Sequence, residues 1–300
     1  LIGTLDVLCS LGYISYKNKY VRPYLNTDGK ISINSGKHPV IEQMIGRENF
    51  IANDTLLDTD RNRMSIITGP NMAGKSTYIR QVAIISLMCQ IGCFVPCAEA
   101  DLCIVDRIFT RVGASDDLAS GQSTFMVEMS EVSNILKYAT KNSLVILDEV
   151  GRGTSTLDGL SIAWAVAEFL YDRERIGCKT LFFSHYHELT ELENENGIIN
   201  YSIEVKQTDN GILFLHRIKR GSADKSYGID VAKLAGLPNI VITRAEELLQ
   251  LLEENETKTS KKKSKKQPLQ TKSNENMLNF RDLAAAEEIK NLPINEMTPM

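Results

Sequence analysis

The amino-acid sequence predicts an α/β fold. Three short apolar runs, at residues 64–68, 144–147 and 180–184, have the composition of buried strands. A helical pattern at residues 78–91 follows the first run. A second helical pattern, which ends at about residue 171, follows the second run. Strands that alternate with helices in this way are typical of α/β proteins, whose ligands bind at the carboxyl edge of the sheet.

The segment after the first strand, residues 68–77, fits the pattern G-x-x-x-x-G-K-[ST] of a phosphate-binding loop. Gly69 and Gly74 allow the backbone to curl so that its N–H groups point at phosphate oxygens, and the following helix start adds its positive dipole end. Lys75 supplies a charge for the β- and γ-phosphates, and Ser76 offers a hydroxyl to Mg²⁺. The remaining positions of the predicted loop are Pro70, Asn71, Met72, Ala73 and Thr77.

The strand at residues 144–147 delivers two carboxylates, Asp148 and Glu149, to its C-terminal end. Asp148 can hold Mg²⁺ directly or through water, and Glu149 is placed to orient and polarise an attacking water. The alternative is a strand that ends in a solvated acidic turn, which the phosphate loop disfavours. His185 ends the strand at 180–184 and can contact the γ-phosphate, although a single histidine is more often structural.

Other segments complete the predicted core. Leucines at helical spacing and a stop at Pro23 predict a helix within residues 1–24. Ser123 is a good N-cap for a helix that runs to about residue 139. We further expect strands at 31–33 and 106–112, a turn into an extended piece at 36–42, and a hairpin of 199–205 with 212–218 around a type I′ turn at Asn210-Gly211. Alternation along this hairpin places His216 on one face with Ile212 and Phe214.

The C-terminal part predicts two short helices and a polar tail. The helices, at 226–235 and 240–252, are separated by Gly-Leu-Pro, the spacing of a helix-turn-helix. Residues 253–276 are rich in lysine and predict a disordered linker, and 277–300 form a tail with one short helical pattern.

Composition limits the classes of function. The chain has 300 residues and a net charge of −4, so it is not a basic nucleic-acid binder as a whole. No apolar run reaches the length of a membrane span, and the start does not have the pattern of a signal peptide. The chain begins at Leu1 in a helical pattern, so we expect a fragment of a longer protein. The six cysteines lack metal-site spacing and predict buried free thiols.

Four motifs in this order resemble the MutS family of DNA mismatch-repair ATPases. They are the phosphate loop at 68–77, Arg-Val-Gly-Ala-Ser-Asp-Asp-Leu-Ala-Ser-Gly-Gln-Ser-Thr-Phe-Met-Val-Glu-Met at 111–129, Leu-Asp-Glu-Val-Gly-Arg-Gly-Thr-Ser-Thr at 147–156 and Ser-His-Tyr-His-Glu-Leu at 184–189. The resemblance implies an ABC-type P-loop ATPase domain, with a mixed sheet flanked by helices, at 25–223. It further implies a helical N-terminal remnant of the lever region at 1–24 and a helix-turn-helix dimerisation element at 224–252.

The resemblance also implies roles that spacing cannot supply. Phe50 and His216 match the residues that stack on the two faces of adenine, although Phe50 can also be a simple core residue. Asn71 matches a residue that caps the phosphates, Ser123 one that reaches the nucleotide of the other subunit, and Asp158 the dimer-crossing aspartate. Ala73 departs from the glycine of many bacterial members.

The partners implied by the resemblance are ATP or ADP with Mg²⁺, a second copy of the chain, mismatched double-stranded DNA bound through missing N-terminal domains, and a MutL-type protein. Residues 276–280 resemble a sliding-clamp peptide but lack its glutamine and the leucine before Phe280. The resemblance implies a cytoplasmic, nucleoid-associated protein.

Three alternative functions remain open on the sequence. A transport ABC subunit would need an L-S-G-G-Q signature, from which residues 120–125 depart. A chromosome-organising ABC ATPase would need a long heptad run, which could lie upstream. A MutS paralogue that acts in recombination or ribosome rescue differs from a mismatch-repair protein only in the N-terminal domains.

Overall fold

The structure is a computed structural model that describes residues 1–70, 73–113, 123–193, 197–208, 211–222 and 227–263. The chain divides into two compact units, residues 1–238 and 239–300, and both sheets lie in the first. The helices are α1 Ile2–Asn18, α2 Pro39–Ile45, α3 Lys75–Gln90, α4 Thr124–Tyr138, α5 Thr156–Tyr171, α6 Gly228–Leu234 and α7 Asn239–Lys263, with a short 3₁₀ helix at His187–Leu192. The strands are β1 Tyr24–Asn26, β2 Ile31–Gly36, β3 Asn53–Leu57, β4 Asn62–Thr68, β5 Glu99–Cys103, β6 Ile108–Arg111, β7 Leu144–Asp148, β8 Lys179–Ser184, β9 Gly197–Thr208 and β10 Gly211–Arg220.

The main sheet has six strands in the order β10-β9-β4-β8-β7-β6. The five strands from β9 to β6 pair in parallel, and β10 adds an antiparallel edge through the β9–β10 hairpin. A smaller sheet has the order β1-β5-β2-β3. The predicted α/β class is therefore confirmed, and the parallel core of the main sheet brings the carboxyl ends of β4, β8 and β7 to the same edge.

Both faces of the main sheet are buried, which explains why its central strands are continuously apolar. Successive residues alternate between two hydrophobic clusters. Ile67, Ile146 and Phe183 face the cluster that contains α3 and the smaller sheet, whereas Ile66, Val145 and Phe182 face the cluster that contains α4 and α5. Residues at these positions are almost fully excluded from solvent, so they fix the register of the strands that carry the site.

The predicted strands and helices of the core are confirmed, but three segments differ from expectation. The first helix ends at Asn18, where Lys19 adopts the left-handed conformation, rather than continuing towards Pro23. Residues 39–45 form α2 rather than an extended piece, because Pro39 stands at its first turn and the His38 side chain caps it. Helix α7 continues to Lys263, so the first part of the segment expected to be a linker is helical. The rest of that segment and the tail lie outside the described residues.

The β9–β10 hairpin is confirmed, but its regular alternation is interrupted. The register shifts between Phe214 and Ile218, and His216 within this irregularity has a positive φ of 51°. The expectation that His216 shares one strand face with Ile212 and Phe214 is therefore wrong, because a bulge turns its side chain independently of the pleat. The predicted type I′ turn at Asn210-Gly211 stays a prediction, because Asn210 lies outside the described residues.

The cysteines are free, and four of them are buried: Cys89, Cys93, Cys103 and Cys178. Cys9 is exposed and Cys97 only half-buried, so the prediction of buried thiols holds for four of six. Within the part of the chain that the structure describes, no group of histidine, cysteine and acidic residues is arranged to hold a metal. No helix among those residues has both the length and the apolarity needed to cross a membrane.

Candidate functional site

The loop that leaves β4 leads directly into α3, whose first residue is Lys75. Gly74 caps this helix with a φ of 93°, and a Cβ at Gly74 would lie 2.9 Å from Nδ1 of His216. Glycine is therefore required here both for the backbone conformation and for the close approach of the histidine. Lys75 is only 5% exposed, and burial lowers the pKa of its ammonium group, an effect that Glu149 and Asp148 oppose.

Ser76 and Asp148 come together across the carboxyl edge of the sheet. The Ser76 hydroxyl donates a hydrogen bond of 2.8 Å to Oδ2 of Asp148. Burial raises the pKa of the Asp148 carboxyl, Glu149 raises it further, and the hydrogen bond from Ser76 opposes the shift. Two oxygen ligands of the kind that Mg²⁺ prefers are thus in contact at the place where the sequence predicts a metal.

Glu149 starts the turn after β7 and has an unusual backbone, with a positive φ of 56°. Its backbone N–H donates to the Phe183 carbonyl at 3.0 Å, which anchors the turn to β8. One carboxylate oxygen lies 3.5 Å from Nζ of Lys75, and the other pairs with the exposed guanidinium of Arg152. The predicted water-orienting carboxylate is therefore held between two cations.

A cavity of about 330 Å³ opens in front of these groups. Its lining consists of Gly74, Lys75, Ser76, Thr77, Asp148, Glu149 and Arg152. The structure thus brings together the predicted phosphate-contacting, metal-binding and catalytic positions around one space. Asn71 and Met72, which the sequence analysis assigns to the loop, lie outside the described residues. Gly69 leaves β4 with a φ of 150° and packs against Ile203, away from the cavity lining.

His185 follows β8 directly and stacks on Tyr186, with ring centroids 4.1 Å apart. Burial lowers the pKa of its imidazole, and the charges of Glu149, Arg152 and Lys75 act on it in opposing directions. The His185 side chain is not part of the cavity lining.

His216 reaches the phosphate loop from β10. Its Nδ1 lies 2.9 Å from the carbonyl oxygen of Ala73. The Asn53 side chain holds the bulge in place by donating to the His216 carbonyl at 2.8 Å and accepting from the Ile218 N–H at 2.7 Å. Phe50, three residues before Asn53, is half-buried on the segment that enters β3. Asn53 thus connects the strand that follows Phe50 to the part of β10 that carries His216.

Ser123 and Asp158 lie at helix starts outside the cavity. Ser123 caps α4 by accepting a hydrogen bond from the N–H of Met126, as its sequence position predicts. Asp158 lies in the first turn of α5, where its carboxylate accepts a hydrogen bond of 2.8 Å from the Ser155 hydroxyl. Both side chains are exposed.

Comparison with known proteins identifies the family. The model of MutS domain V matches residues 65–253 of this chain. The chain belongs to the MutS family. It is 60% identical over 259 residues to the DNA mismatch repair protein MutS of Clostridium perfringens, a match that covers 86% of this chain and 28% of the relative. It is 63% identical over 254 residues to that of Caldicellulosiruptor bescii, covering 84% and 29%, respectively. The chain therefore spans less than a third of the length of the MutS relatives it matches.

The donor set fits a phosphate and a divalent cation. Lys75 Nζ is buried, and within the described residues no group accepts a hydrogen bond from it, so the nearest anion is the Glu149 carboxylate at 3.5 Å. An anionic phosphate in the cavity would satisfy this buried ammonium. The oxygens of Ser76 and Asp148 would be the protein ligands of Mg²⁺.

Three site residues of this MutS chain were not predicted. Arg152 follows the carboxylate pair within a motif that the sequence analysis quotes, yet its pairing with Glu149 is visible only in the structure. Asn53 joins two segments that are 163 residues apart. Glu128 accepts a hydrogen bond from the Gly151 N–H behind the site. No local sequence pattern marks Asn53, because its partners are backbone groups distant in sequence. Glu128 stands in the motif at 111–129, yet its contact with Gly151 is visible only in the structure.

Proposed function

We propose that this chain binds and hydrolyses ATP with Mg²⁺, as the ABC-type ATPase domain of a DNA mismatch-repair protein. One observation carries the proposal: the buried Lys75, the Ser76–Asp148 pair and Glu149 surround one cavity at the carboxyl edge of parallel strands. This set supplies a phosphate charge partner, two metal ligands and a water-orienting carboxylate, which is what phosphoryl transfer to water needs.

Each group then has a defined task. Lys75 binds the β- and γ-phosphate oxygens, and the backbone N–H groups at the start of α3, residues 74–77, face them. Ser76 and Asp148 would hold Mg²⁺, which would neutralise charge on the phosphate oxygens. Glu149 orients the attacking water and accepts its proton. His185 contacts the γ-phosphate in neutral form, in agreement with the lowered pKa of its imidazole.

The nucleobase occupies the space beside His216 and Phe50. His216 already contacts the phosphate loop through the Ala73 carbonyl, and Asn53 connects its strand to the Phe50 segment. Aromatic faces on either side of adenine would bind the base by stacking.

Two copies of the chain would complete the sites. Ser123 and Asp158 lie outside the cavity and are exposed, which suits residues that act at the nucleotide of a second subunit. Residues 224–252 would provide a helix-turn-helix dimerisation element, since Leu234 and Leu237 are exposed in the first unit and Ile240 and Val241 in the second. A DNA-reading role for α7 is disfavoured, because its Arg244 is paired with Glu247 at 2.7 Å.

The relatives are named DNA mismatch repair proteins, which favours this process over recombination, ribosome rescue or transport. We infer that ATP binding and hydrolysis here are coupled to recognition of mismatched double-stranded DNA by other domains and to a MutL-type partner. We also propose that residues 276–280 contact a sliding clamp.

The catalytic proposal is tested by Glu149→Gln and Lys75→Ala in an ATP hydrolysis assay with Mg²⁺. Glu149→Gln is expected to bind ATP normally and to lose turnover by orders of magnitude, because the water is no longer oriented. Lys75→Ala is expected to weaken ATP binding as well. Steady-state hydrolysis at the wild-type rate by Glu149→Gln would contradict the assignment.

The composite site is tested by mixing inactive chains. Lys75→Ala chains and Ser123→Ala chains should regain activity on mixing, since one mixed dimer contains one intact site. A monomer in sedimentation that hydrolyses ATP at full rate would contradict the shared site.

A further inference from the structure

Arg111 and Glu128 form a buried ion pair behind the candidate site. Nη2 of Arg111 lies 3.5 Å from Oε2 of Glu128, and each residue is only 5% exposed. Arg111 is the last residue of β6, and Glu128 lies in the second turn of α4. Buried ion pairs are costly to desolvate, so this pair alone is weak evidence for a stabilising role. The contact that the second oxygen of Glu128 makes is therefore more informative about its role.

That second oxygen binds the turn that carries Glu149. Oε1 of Glu128 accepts a hydrogen bond of 2.5 Å from the backbone N–H of Gly151, two residues after Glu149. The carbonyl of Gly151 accepts a hydrogen bond of 3.1 Å from the Tyr186 hydroxyl. Both backbone polar groups of Gly151 are therefore held by buried side chains.

Steric contacts leave this turn little freedom. Gly151 has a φ of 89°, and a Cβ at this position would lie 2.4 Å from the carbonyl oxygen of Gly159 in α5. The turn at Gly151 therefore has little room to move independently of α5.

A second contact joins the same turn to the start of α4. A Cβ at Gly153 would lie 3.0 Å from Cβ of Phe125, so the first turn of α4 packs directly on the turn. Ser123, the N-cap of α4, lies two residues before Phe125. Helix α4 is thus attached to residues 151–153 at two points, one polar and one steric.

We propose that Glu128 is a positioning residue for ATP hydrolysis, which links the start of α4 to the turn that carries Glu149. This inference rests on the proposed function. Arg111 fixes the Glu128 carboxylate, Glu128 fixes the Gly151 N–H, and the rigid turn sets the place of the Glu149 carboxylate. A displacement of α4 at Ser123, the residue expected to meet the second subunit, is passed by this route to the water-orienting group of the same chain.

The test is Glu128→Gln in the full encoded protein, with ATP and Mg²⁺ as the probes. The substitution removes the negative charge that pairs with Arg111 but keeps an oxygen that can accept from the Gly151 N–H. Without the ion pair this oxygen is no longer fixed, so we expect the turn to shift while the fold is kept. We expect kcat to fall roughly 10- to 100-fold, as small misplacements of catalytic groups do, while KM and the Kd of ATP change less than about twofold.

Glu131→Gln is the matched control. Glu131 lies one turn further along α4 and also contacts Arg111, with 2.9 Å between Oε2 and Nε, but its side chain is 51% exposed. Because no contact joins it to the turn within the described residues, kcat should stay within about twofold of the wild type. An equal loss of kcat in both variants would mean that the charge of Arg111, and not the link to Gly151, matters.

Two further variants separate the possible failures. If Glu149→Gln hydrolyses ATP at the wild-type rate, the proposed function is wrong. If Glu149→Gln is inactive but Glu128→Gln retains wild-type kcat, or loses ATP affinity as strongly as kcat, the positioning role is wrong. Should Glu128→Gln fail to fold by circular dichroism, Arg111→Lys, which keeps the charge, must lower kcat at unchanged Kd, and an unchanged kcat overturns the inference.

Discussion

Replacing Asn53 by alanine is expected to lower the free energy of unfolding by about 2–3 kcal/mol. Asn53 is only 7% exposed and makes two short hydrogen bonds to the irregular part of β10, at 2.8 Å to the His216 carbonyl and at 2.7 Å from the Ile218 N–H. A hydrogen bond of this kind contributes about 1 kcal/mol net, and a partly buried N–H left without its acceptor adds a penalty of similar order. Alanine removes both bonds and leaves the bulge without its cross-link to β3.

Urea unfolding followed by circular dichroism measures this loss. Asn53→Asp keeps the acceptor for Ile218 but places a carboxylate oxygen against the His216 carbonyl, so it should not recover the wild-type free energy of unfolding. Asn34→Ala is the control, because its amide makes one exposed hydrogen bond of 3.2 Å to Glu99 and its removal should cost less than about 0.5 kcal/mol. A loss below about 0.5 kcal/mol for Asn53→Ala would refute the claim that this side chain holds the bulge.

Three further predictions follow from the packing and the pKa directions. Gly159→Ala should lower the free energy of unfolding by about 1–3 kcal/mol, because its Cβ would lie 2.2 Å from the Tyr186 hydroxyl. Gly12→Ala, in helix α1 where a Cβ meets no neighbour, should raise it by about 0.5–1 kcal/mol. Urea midpoints that shift in the same direction for both variants would contradict this. Burial and a nearby arginine lower the pKa of His38, whose neutral ring caps α2, so the free energy of unfolding should fall as the pH drops below the ordinary pKa of 6.5. In His38→Asn it should fall less steeply. Equal slopes of stability against pH between about pH 7 and 5 in both proteins would exclude the cap as the cause. Phe50→Ala should raise the Kd of ATP several-fold at unchanged saturating turnover, and an unchanged Kd in a binding titration would remove Phe50 from the base site.

The sequence was sufficient for the central strands because their two faces are both buried. Residues 64–68, 144–147 and 180–184 had to be apolar at every position, and that composition is visible without knowing the neighbours. The cap at Ser123 is equally local, since its side chain accepts a hydrogen bond from an N–H three residues further on. Local physics of this kind predicts elements well.

The predictions that differ from the structure concern segments whose conformation depends on distant residues or on residue types that favour more than one structure. Histidine is not a common helix cap, so the sequence at His38 and Pro39 predicts a turn. In the structure these two residues begin α2. The lysines after residue 253 were interpreted as disorder, yet lysine and glutamate are also good helix formers, and α7 runs to Lys263. The bulge at His216 depends on Asn53, a partner 163 residues away, which no window of sequence contains.

The geometry of the candidate site follows from strand order and register, which the motifs alone do not determine. Strand β8 lies between β4 and β7, with Thr68 opposite Ser184 and Asp148 opposite Phe183. The phosphate loop and the carboxylate pair therefore leave the sheet at the same level, and Ser76 reaches Asp148 across the end of β8.

A shift of one residue between β7 and β8 would break this arrangement. It would move Leu147 to the opposite face of the sheet from Phe182, with which it now shares a hydrophobic cluster, and would separate the Glu149 N–H from the Phe183 carbonyl. The fully buried side chains on the two faces oppose such a shift, because each would exchange one packed environment for another of different shape. Core packing thus holds the two carboxylates in place, and a large-to-small change such as Leu147→Ala should lower both the free energy of unfolding and the rate of hydrolysis.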